Sequence, residues 1–392
     1  RAWTGDGIMA IRDIVQAAAG VGGENEYVED VFSTYLYTGT GAAQTITNGI
    51  DLAGEGGLVW TKARNASGED HFLADTDSPA PANSLYFIKT LTSNSTGAYA
   101  EPYRSITGWN SNGYGVERHL GFGGLNTTYA SWTFRKAPKF FDVVTWTGNG
   151  VNGREIPHSL GSVPGCIFIK STSNASAWIV YHRGLSVPTN RAIFLNTTSA
   201  EATAGYFPTT PTSTGFYLNG NGYEVNTTGQ TFVAYIFAHD AGGFGDDGEQ
   251  DVISCGSVVG ASQQEVYLGF EPQWILLKNA NSAQDWWMVD NMRGWPVQGT
   301  DTSYSARRLN ANLSSAESTL SIAPSATGFK ANTMTAGQTY IYIAIRRPMK
   351  APEAGTEVFN ASYGGGSPYS FTAGFPVDMA IYARTNATSP RY

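Results

Sequence analysis

The sequence predicts an all-β protein made of tandem antiparallel β-sandwich modules of about 108 residues, with a short N-terminal helix. Two properties of the sequence support this fold class. Short runs that alternate β-branched or aromatic residues with polar ones are separated by turns rich in Gly and Asn, as in residues 141–170. The 46 glycines and the 13% aromatic content suit many short strands joined by turns.

The third and strongest observation is an internal repeat. Gly39, Gly148, Gly256 and Gly364 lie in similar strand-and-turn segments and are separated by 109, 108 and 108 positions. A strand at 129–134, 232–237 and 340–345 closes each complete unit, and a unit of this size and texture is typical of a β-sandwich. The predicted boundaries are 1–26 for a helical segment, 27–138, 139–246 and 247–352 for three sandwich repeats, and 353–392 for a partial fourth repeat.

The two ends of the chain differ from the repeats. Residues 8–19 place Ile8, Ile11, either Ile14 or Val15, and Ala18 on one face of a predicted helix. The fourth repeat lacks its second half, which leaves an apolar face open. We expect either a longer chain or a neighbouring molecule to complete that unit.

Charge and composition argue against several classes of partner. The net charge of −8 and the 14% of charged residues do not suit a nucleic-acid-binding surface. No apolar run reaches the length of a membrane-spanning helix, and no basic amphipathic stretch indicates insertion into a membrane. Cys166 and Cys255 lie in apolar strands and are predicted to be buried free thiols, with a disulfide between modules as the alternative.

The sequence does not indicate an enzyme. Its acids form no recurring pair of the kind that glycoside cleavage needs, its five histidines show no metal-ligand spacing, and no nucleophile-elbow motif occurs. We therefore predict no catalytic residues, no metal and no cofactor. Residues 246–251 (DDGEQD) form the sharpest acidic cluster, and a bound Ca²⁺ and a solvated linker are both open interpretations of it.

Aromatic residues beside Asn, Asp and Arg follow the apolar strand of the second and third repeats. Such a mixture suits either core packing or a sugar-binding face, and recurrence between the repeats favours packing. Trp287 and Trp295, which depart from the repeat, are the better candidates for glycan contact, and Trp178 is a further one.

The residues of the second repeat resemble a known family. Residues 144–150 (VTWTGNG), 156–161 (IPHSLG), 164–170 (PGCIFIK) and 181–183 (YHR) are similar to the repeated β-rich modules of virion and tail-fibre proteins of marine tailed bacteriophages, including cyanophages. The third repeat departs from this pattern, with 266–270 (VYLGF) in place of the IPHSLG phrase. The resemblance implies a structural protein without an active site.

From the resemblance and the repeats we expect a structural virion protein, a tail fibre or appendage at the tail or particle surface that presents sandwich modules for host attachment. Its expected partners are other copies of the chain, with a trimer favoured, together with other virion proteins and a host-surface glycan. Alternatives are a secreted cell-surface adhesin or filament subunit, and a carbohydrate-binding or carbohydrate-active protein.

Overall fold

The computed structural model describes residues 25–78, 88, 90–98, 106–295, 305–352, 354–361 and 381. The chain to Met349 forms one compact unit, and Lys350–Tyr392 forms a second. In the first unit the described part has one short helix, α1 (Val28–Val31), and 25 strands. In the second unit a 3-10 turn spans Gly355–Glu357, and the side chains described around it are exposed.

The strands fall into three groups, which we call modules 1, 2 and 3. Module 1 contains β1 (Phe32–Thr38), β2 (Gln44–Thr47), β3 (Gly57–Ala63), β4 (Phe72–Asp75), β5 (Leu91–Thr92), β6 (Ile106–Asn110), β7 (Gly113–Val116) and β8 (Thr128–Arg135). Module 2 contains β9 (Phe141–Thr147), β10 (Arg154–Pro157), β11 (Cys166–Ser171), β12 (Ile179–His182), β13 (Arg191–Phe194), β14 (Ala202–Thr203), β15 (Gly215–Leu218) and β16 (Thr231–Phe237). Module 3 contains β17 (Ile253–Val259), β18 (Gln264–Tyr267), β19 (Pro272–Asn279), β20 (Trp287–Asp290), β21 (Ala306–Asn310), β22 (Ser318–Leu320), β23 (Ile322–Ser325), β24 (Gly328–Ala331) and β25 (Thr339–Arg346).

Each module has a large and a small antiparallel sheet with the same connectivity. The large sheets have the orders β1-β8-β3-β4-β5, β9-β16-β11-β12-β13-β14 and β17-β25-β19-β20-β21-β22. The small sheets are β2-β7-β6, β10-β15 and β18-β24-β23. In each case the closing strand of the module lies between its first strand and its central strand. The prediction of an all-β fold of sandwich type is confirmed.

The central strand of each large sheet is buried on both faces. In β3 the side chains of Val59 and Ala63 pack in the core between the two sheets of module 1, whereas Leu58 and Trp60 belong to a core shared with the other modules. Side chains alternate between the faces of a strand, so both faces need apolar residues here. For this reason these strands appear in the sequence as continuous apolar runs.

The shared core joins the three modules into one body. Phe134 at the end of β8 contacts Phe237 of module 2 and Trp274 of module 3, with ring centroids 5.7 Å apart in both pairs. Phe32 adds an edge contact to Phe134 at 5.0 Å. The modules are therefore packed against each other and are not separately folded domains arranged in a line.

Several predictions of the sequence concern regions that the structure does not describe. The helix at 8–19 lies outside the described residues, and of the partial fourth repeat at 353–392 only 354–361 and 381 are described. The strands of modules 1 to 3 lie within the ranges 27–138, 139–246 and 247–352, but the domain boundaries themselves stay predictions.

Candidate functional site

The modules meet at three contacts, which we call seams. Seam 1–2 joins β11 and β16 of module 2 to the segment of module 1 that includes β4 and β5. Seam 2–3 joins β19 and β25 of module 3 to the segment of module 2 that includes β12 and β13. Seam 3–1 joins β3 and β8 of module 1 to the segment of module 3 that includes β20 and β21. The order is cyclic, so the three modules close a ring with approximate threefold symmetry.

A buried lysine crosses each seam. Lys62, Lys170 and Lys278 are separated by 108 positions, and all three side chains are fully buried. At seam 1–2, the Lys170 ammonium donates to Ser171 O at 3.1 Å in its own strand and to Thr96 O at 3.1 Å in module 1. One amine thus satisfies carbonyl groups of two modules.

The other two seams repeat this contact. Lys278 Nζ donates to Asn279 O at 2.9 Å and to Thr198 O of module 2 at 3.0 Å. Lys62 Nζ donates to the next carbonyl of its own strand at 2.8 Å and to Ser314 O of module 3 at 3.3 Å. Burial lowers the pKa of each lysine from 10.5 to about 8. The lysines are therefore structural connectors whose charge is costly to bury.

At two of the three seams a ring N–H close to the lysine makes a second kind of cross-seam contact. Trp178 Nε1 donates to Thr92 O at 2.9 Å, and Trp286 Nε1 donates to Phe194 O at 2.9 Å. In module 1 the strand register places His71 at the equivalent position. His71 is fully buried, and its Nδ1 accepts a hydrogen bond from Trp60 Nε1 at 3.0 Å. The size of the ring at this position therefore differs between seams.

In each module the strand that follows the central strand ends at a residue that makes a third kind of contact across a seam. The hydroxyl of Tyr235 donates to Asp75 Oδ2 at 2.8 Å across seam 1–2. At seam 2–3 His182 Nε2 lies 3.0 Å from Tyr342 O, while its Nδ1 accepts from Gly184 N at 3.0 Å. This pattern assigns the proton of the neutral ring to Nε2. Burial lowers the pKa of His182 to about 4, so the neutral form is the one that the seam holds.

Seam 3–1 carries a buried network of charges. Asp290 and Arg293 are both fully buried, and Arg293 Nε donates to Asp290 Oδ2 at 2.6 Å. The same carboxylate oxygen accepts from Trp132 Nε1 of module 1 at 3.0 Å. Arg293 Nη1 lies 3.5 Å from Glu317 Oε1, and Glu317 forms an ion pair at 2.7 Å with Arg64 of module 1. Four charges and one indole thus close the ring.

An open cleft with a volume of about 590 Å³ lies against module 2. Lys139, Arg183, His239 and Asp240 line it, and Tyr181 forms part of its wall. Nδ1 of His239 lies 3.1 Å from Asp240 Oδ2 and 3.2 Å from Cys255 N. The cleft combines cationic groups, one carboxylate and hydroxyl groups at the surface of the ring.

A family model described as "Domain of unknown function (DUF7483)" matches residues 28–348 in one stretch. The chain belongs to the DUF7483 family. The matched stretch includes all three modules and ends one residue before the compact unit does. The unit of the DUF7483 family in this chain is therefore the ring of three modules. No curated protein matches the chain.

The DUF7483 ring places the three predicted glycan-binding tryptophans in its interior. Trp178 is fully buried and donates across seam 1–2. Trp287 is 6% exposed and Trp295 is 8% exposed, and both pack in the core of module 3. Trp287 lies with its ring 6.2 Å from that of Tyr340 and beneath Arg308 at 5.7 Å. Burial of the ring faces argues against glycan contact at these residues.

The structure gives outcomes for two further predictions. Cys166 and Cys255 are buried free thiols, as the sequence predicts. Within the acidic segment 246–251, Asp247 Oδ1 accepts from Glu249 N and Asp251 Oδ1 accepts from Gly242 N, so two of its carboxylates stabilise the turn. The described residues contain no group of His, Cys, Asp or Glu that could hold a metal ion. None of their helices is long and apolar enough to span a membrane.

Sequence reasoning missed the seams, although one signal for them was visible. The lysines at 62, 170 and 278 are the penultimate residues of the apolar central strand in the three complete repeats, whereas most other polar positions vary. A lysine that recurs inside an apolar run must satisfy its ammonium group within the fold. The charged residues of seam 3–1 gave no such signal, because they occur in one repeat only.

Proposed function

We propose that this chain is a structural virion protein of a phage-like particle, a tail fibre or appendage whose ring of modules presents loops for host-surface attachment. The main support for the proposal is the difference between the residues that recur in all three modules and those that vary. The groups shared by the modules are those of the cores and seams, such as the three buried lysines, while the outward polar residues differ from one module to the next. A constant scaffold with variable outer loops suits a surface whose contacts must change.

The resemblance of module 2 to repeated modules of marine phage virion and tail-fibre proteins supports the same proposal. The hydrogen bonds and ion pairs across the seams support the proposal as well, since they hold the three sandwiches of one chain together. The proposal includes assembly with other virion proteins and homotrimer formation. Light scattering of the purified protein tests the oligomer: a trimer has about three times the 41.9 kDa of one chain, and a mass of one chain contradicts this part.

Mass spectrometry of purified particles, combined with electron microscopy of particles labelled with an antibody against the chain, tests the location. We expect the chain in washed particles at a constant copy number and the label at the tail or particle surface. If the chain is absent from particles and is found on the cell surface or in the medium, the proposal is wrong and the adhesin alternative is favoured.

A further inference from the structure

We propose that the cleft of module 2 is a binding site for an acidic saccharide, a sugar that carries a single negative substituent on each ring. The inference deepens the proposed function, on which it rests, by naming the chemistry of the surface that the appendage contacts. The volume of the cleft, about 590 Å³, lies within the range of about 300–1,000 Å³ found for ligand sites.

Two cations of the cleft form no ion pair in the described part of the chain, although Arg183 attracts the Asp240 carboxylate electrostatically. Neither the ammonium group of Lys139 nor the guanidinium group of Arg183 makes a hydrogen bond or an ion pair with a described residue. Their backbones, in contrast, are fixed: Lys139 N donates to Leu160 O at 2.6 Å, and Arg183 N donates to Gly165 O at 3.0 Å. Lys139 also has a φ of +63°, which is unusual for a residue with a side chain. The cleft therefore holds two available cations on an ordered frame.

The other modules show that the fold does not require these charges. The strand registers place Thr76 and Asn291 at the position of Arg183, and neither carries a charge. The position two residues before the first strand, Lys139 in module 2, is occupied by Asp30 and Asp251 in the other modules. The positive groups are therefore specific to module 2.

In each module a closing-strand residue (Phe134, Phe237 or Ile345) pairs with the first residue of the first strand, and the residue two positions after it leads to the same conclusion. In module 1 it is Lys136, paired with Asp77 at 2.7 Å, and in module 3 it is Arg347, paired with Glu271 at 2.8 Å. In module 2 it is His239, which lines the cleft. At this place the other two modules pair a cation with a carboxylate, whereas module 2 has His239 beside Asp240. The side chains of Lys139 and Arg183 form no ion pair with a described residue.

The charge balance of the cleft selects the ligand. Two cations and the carboxylate of Asp240 leave one net positive charge when His239 is neutral, which matches one carboxylate or one sulfate ester. Asp240 can accept hydrogen bonds from sugar hydroxyls, and it repels the double charge of a phosphate group. Ser162, together with threonines of the lining, provides hydroxyl groups for the sugar. An acidic saccharide meets all of these conditions.

Calorimetric titration of the full-length chain in low salt tests the inference. The probes are tetragalacturonate as the carboxylate ligand, a sulfated galactan tetrasaccharide as the sulfate ligand, cellotetraose as the neutral one, and inorganic phosphate. We expect binding of at least one acidic probe, with neither cellotetraose nor phosphate binding as tightly. The acidic probe that binds more tightly identifies the substituent.

Two variants connect binding to the cleft. Arg183→Gln and Lys139→Gln should each weaken binding about tenfold or more, because each removes a charge-assisted hydrogen bond. Arg118→Gln removes an exposed arginine of module 1 and should bind as the parent does. Since all three side chains are exposed, the melting temperatures should be unchanged, so weaker binding would not result from unfolding.

Three results would overturn the inference: no binding of either acidic probe at millimolar concentration, equal binding of phosphate, or unchanged binding by both cleft variants. None of them affects the detection of the chain in particles, so failure of this site and failure of the proposed function are distinguishable.

Discussion

The hydrogen bond between Trp132 of module 1 and Asp290 of module 3 offers a quantitative test of the closed ring. Asp290→Ala removes three hydrogen bonds to one carboxylate and leaves the buried Arg293 without its closest partner. Loss of one member of a buried ion pair costs about 3–5 kcal/mol. We expect the free energy of unfolding to fall by that amount in urea titrations followed by tryptophan fluorescence.

A double-mutant cycle isolates the part of this energy that crosses the seam. Trp132→Phe removes the indole donor, and Asp290→Asn removes the charge of the acceptor while keeping its volume. A hydrogen bond to a charged group contributes about 1.5–3 kcal/mol, so the two changes should be coupled by roughly 1–2 kcal/mol. The control cycle combines Asp290→Asn with Trp178→Phe, which acts at seam 1–2, and its effects should add.

Independent modules would give a different result. Trp132 and Asp290 are 158 positions apart, so they interact only if module 3 packs against module 1. If the effects of the two changes add to within about 0.5 kcal/mol, or if Asp290→Ala costs less than about 1 kcal/mol, module 3 does not pack against module 1 and the closed ring is wrong.

The remaining predictions concern pH and packing at the seams. Because His182 has a folded pKa of about 4, below its usual 6.5, stability should be lost as the pH falls from 6.5 to 4, by about 3 kcal/mol, and His182→Gln should lose less over this range in denaturant titrations. Lys170, with a folded pKa of about 8 and an unfolded one of 10.5, should add about 2 kcal/mol of stability between pH 7 and pH 10, and Lys170→Met should show a correspondingly smaller rise. Gly165→Ala should lower the free energy of unfolding by about 1–3 kcal/mol, because its new Cβ would lie 2.5 Å from the Cβ of Cys255 across seam 2–3. The control Gly108→Ala, whose new Cβ would have no atom within 4 Å, should change stability little. Equal melting temperatures for the two variants would contradict the packing at the seam.

The sequence predicted the strands well because periodicity and turn chemistry are local signals. The central strands, which contain the three buried lysines, were found as apolar runs, and the repeat placed those lysines at intervals of 108. Those runs also implied that the central strands are buried on both faces, but they did not indicate what covers the second face. A run such as residues 57–63 looks the same whether it is covered by a helix, by another copy or by the next module.

The candidate sites were less predictable, because exposure depends on contacts between modules. Trp178 lies in the sequence between the polar stretch 171–176 and the apolar run 179–181, and a tryptophan in such a setting suits a sugar or a core equally well. Its indole donates to a carbonyl of module 1 that lies 86 positions away, which no local pattern indicates. Conversely, Lys139 and Arg183 are ordinary surface residues in the sequence, and only the fold brings them to one cleft.

A disulfide designed across seam 3–1 tests the central claim, the closure of the ring, most directly. Glu317 N donates to Arg64 O at 3.0 Å, and the two side chains form an ion pair on the same side. In the full chain with Arg64→Cys and Glu317→Cys, mild oxidation should therefore give a disulfide within each chain in nearly quantitative yield. Peptide mapping without reduction should recover the linked peptides from protein that migrates as a single chain on a denaturing, non-reducing gel. Free thiols at both positions after oxidation, or links only between separate chains, would contradict the closed ring.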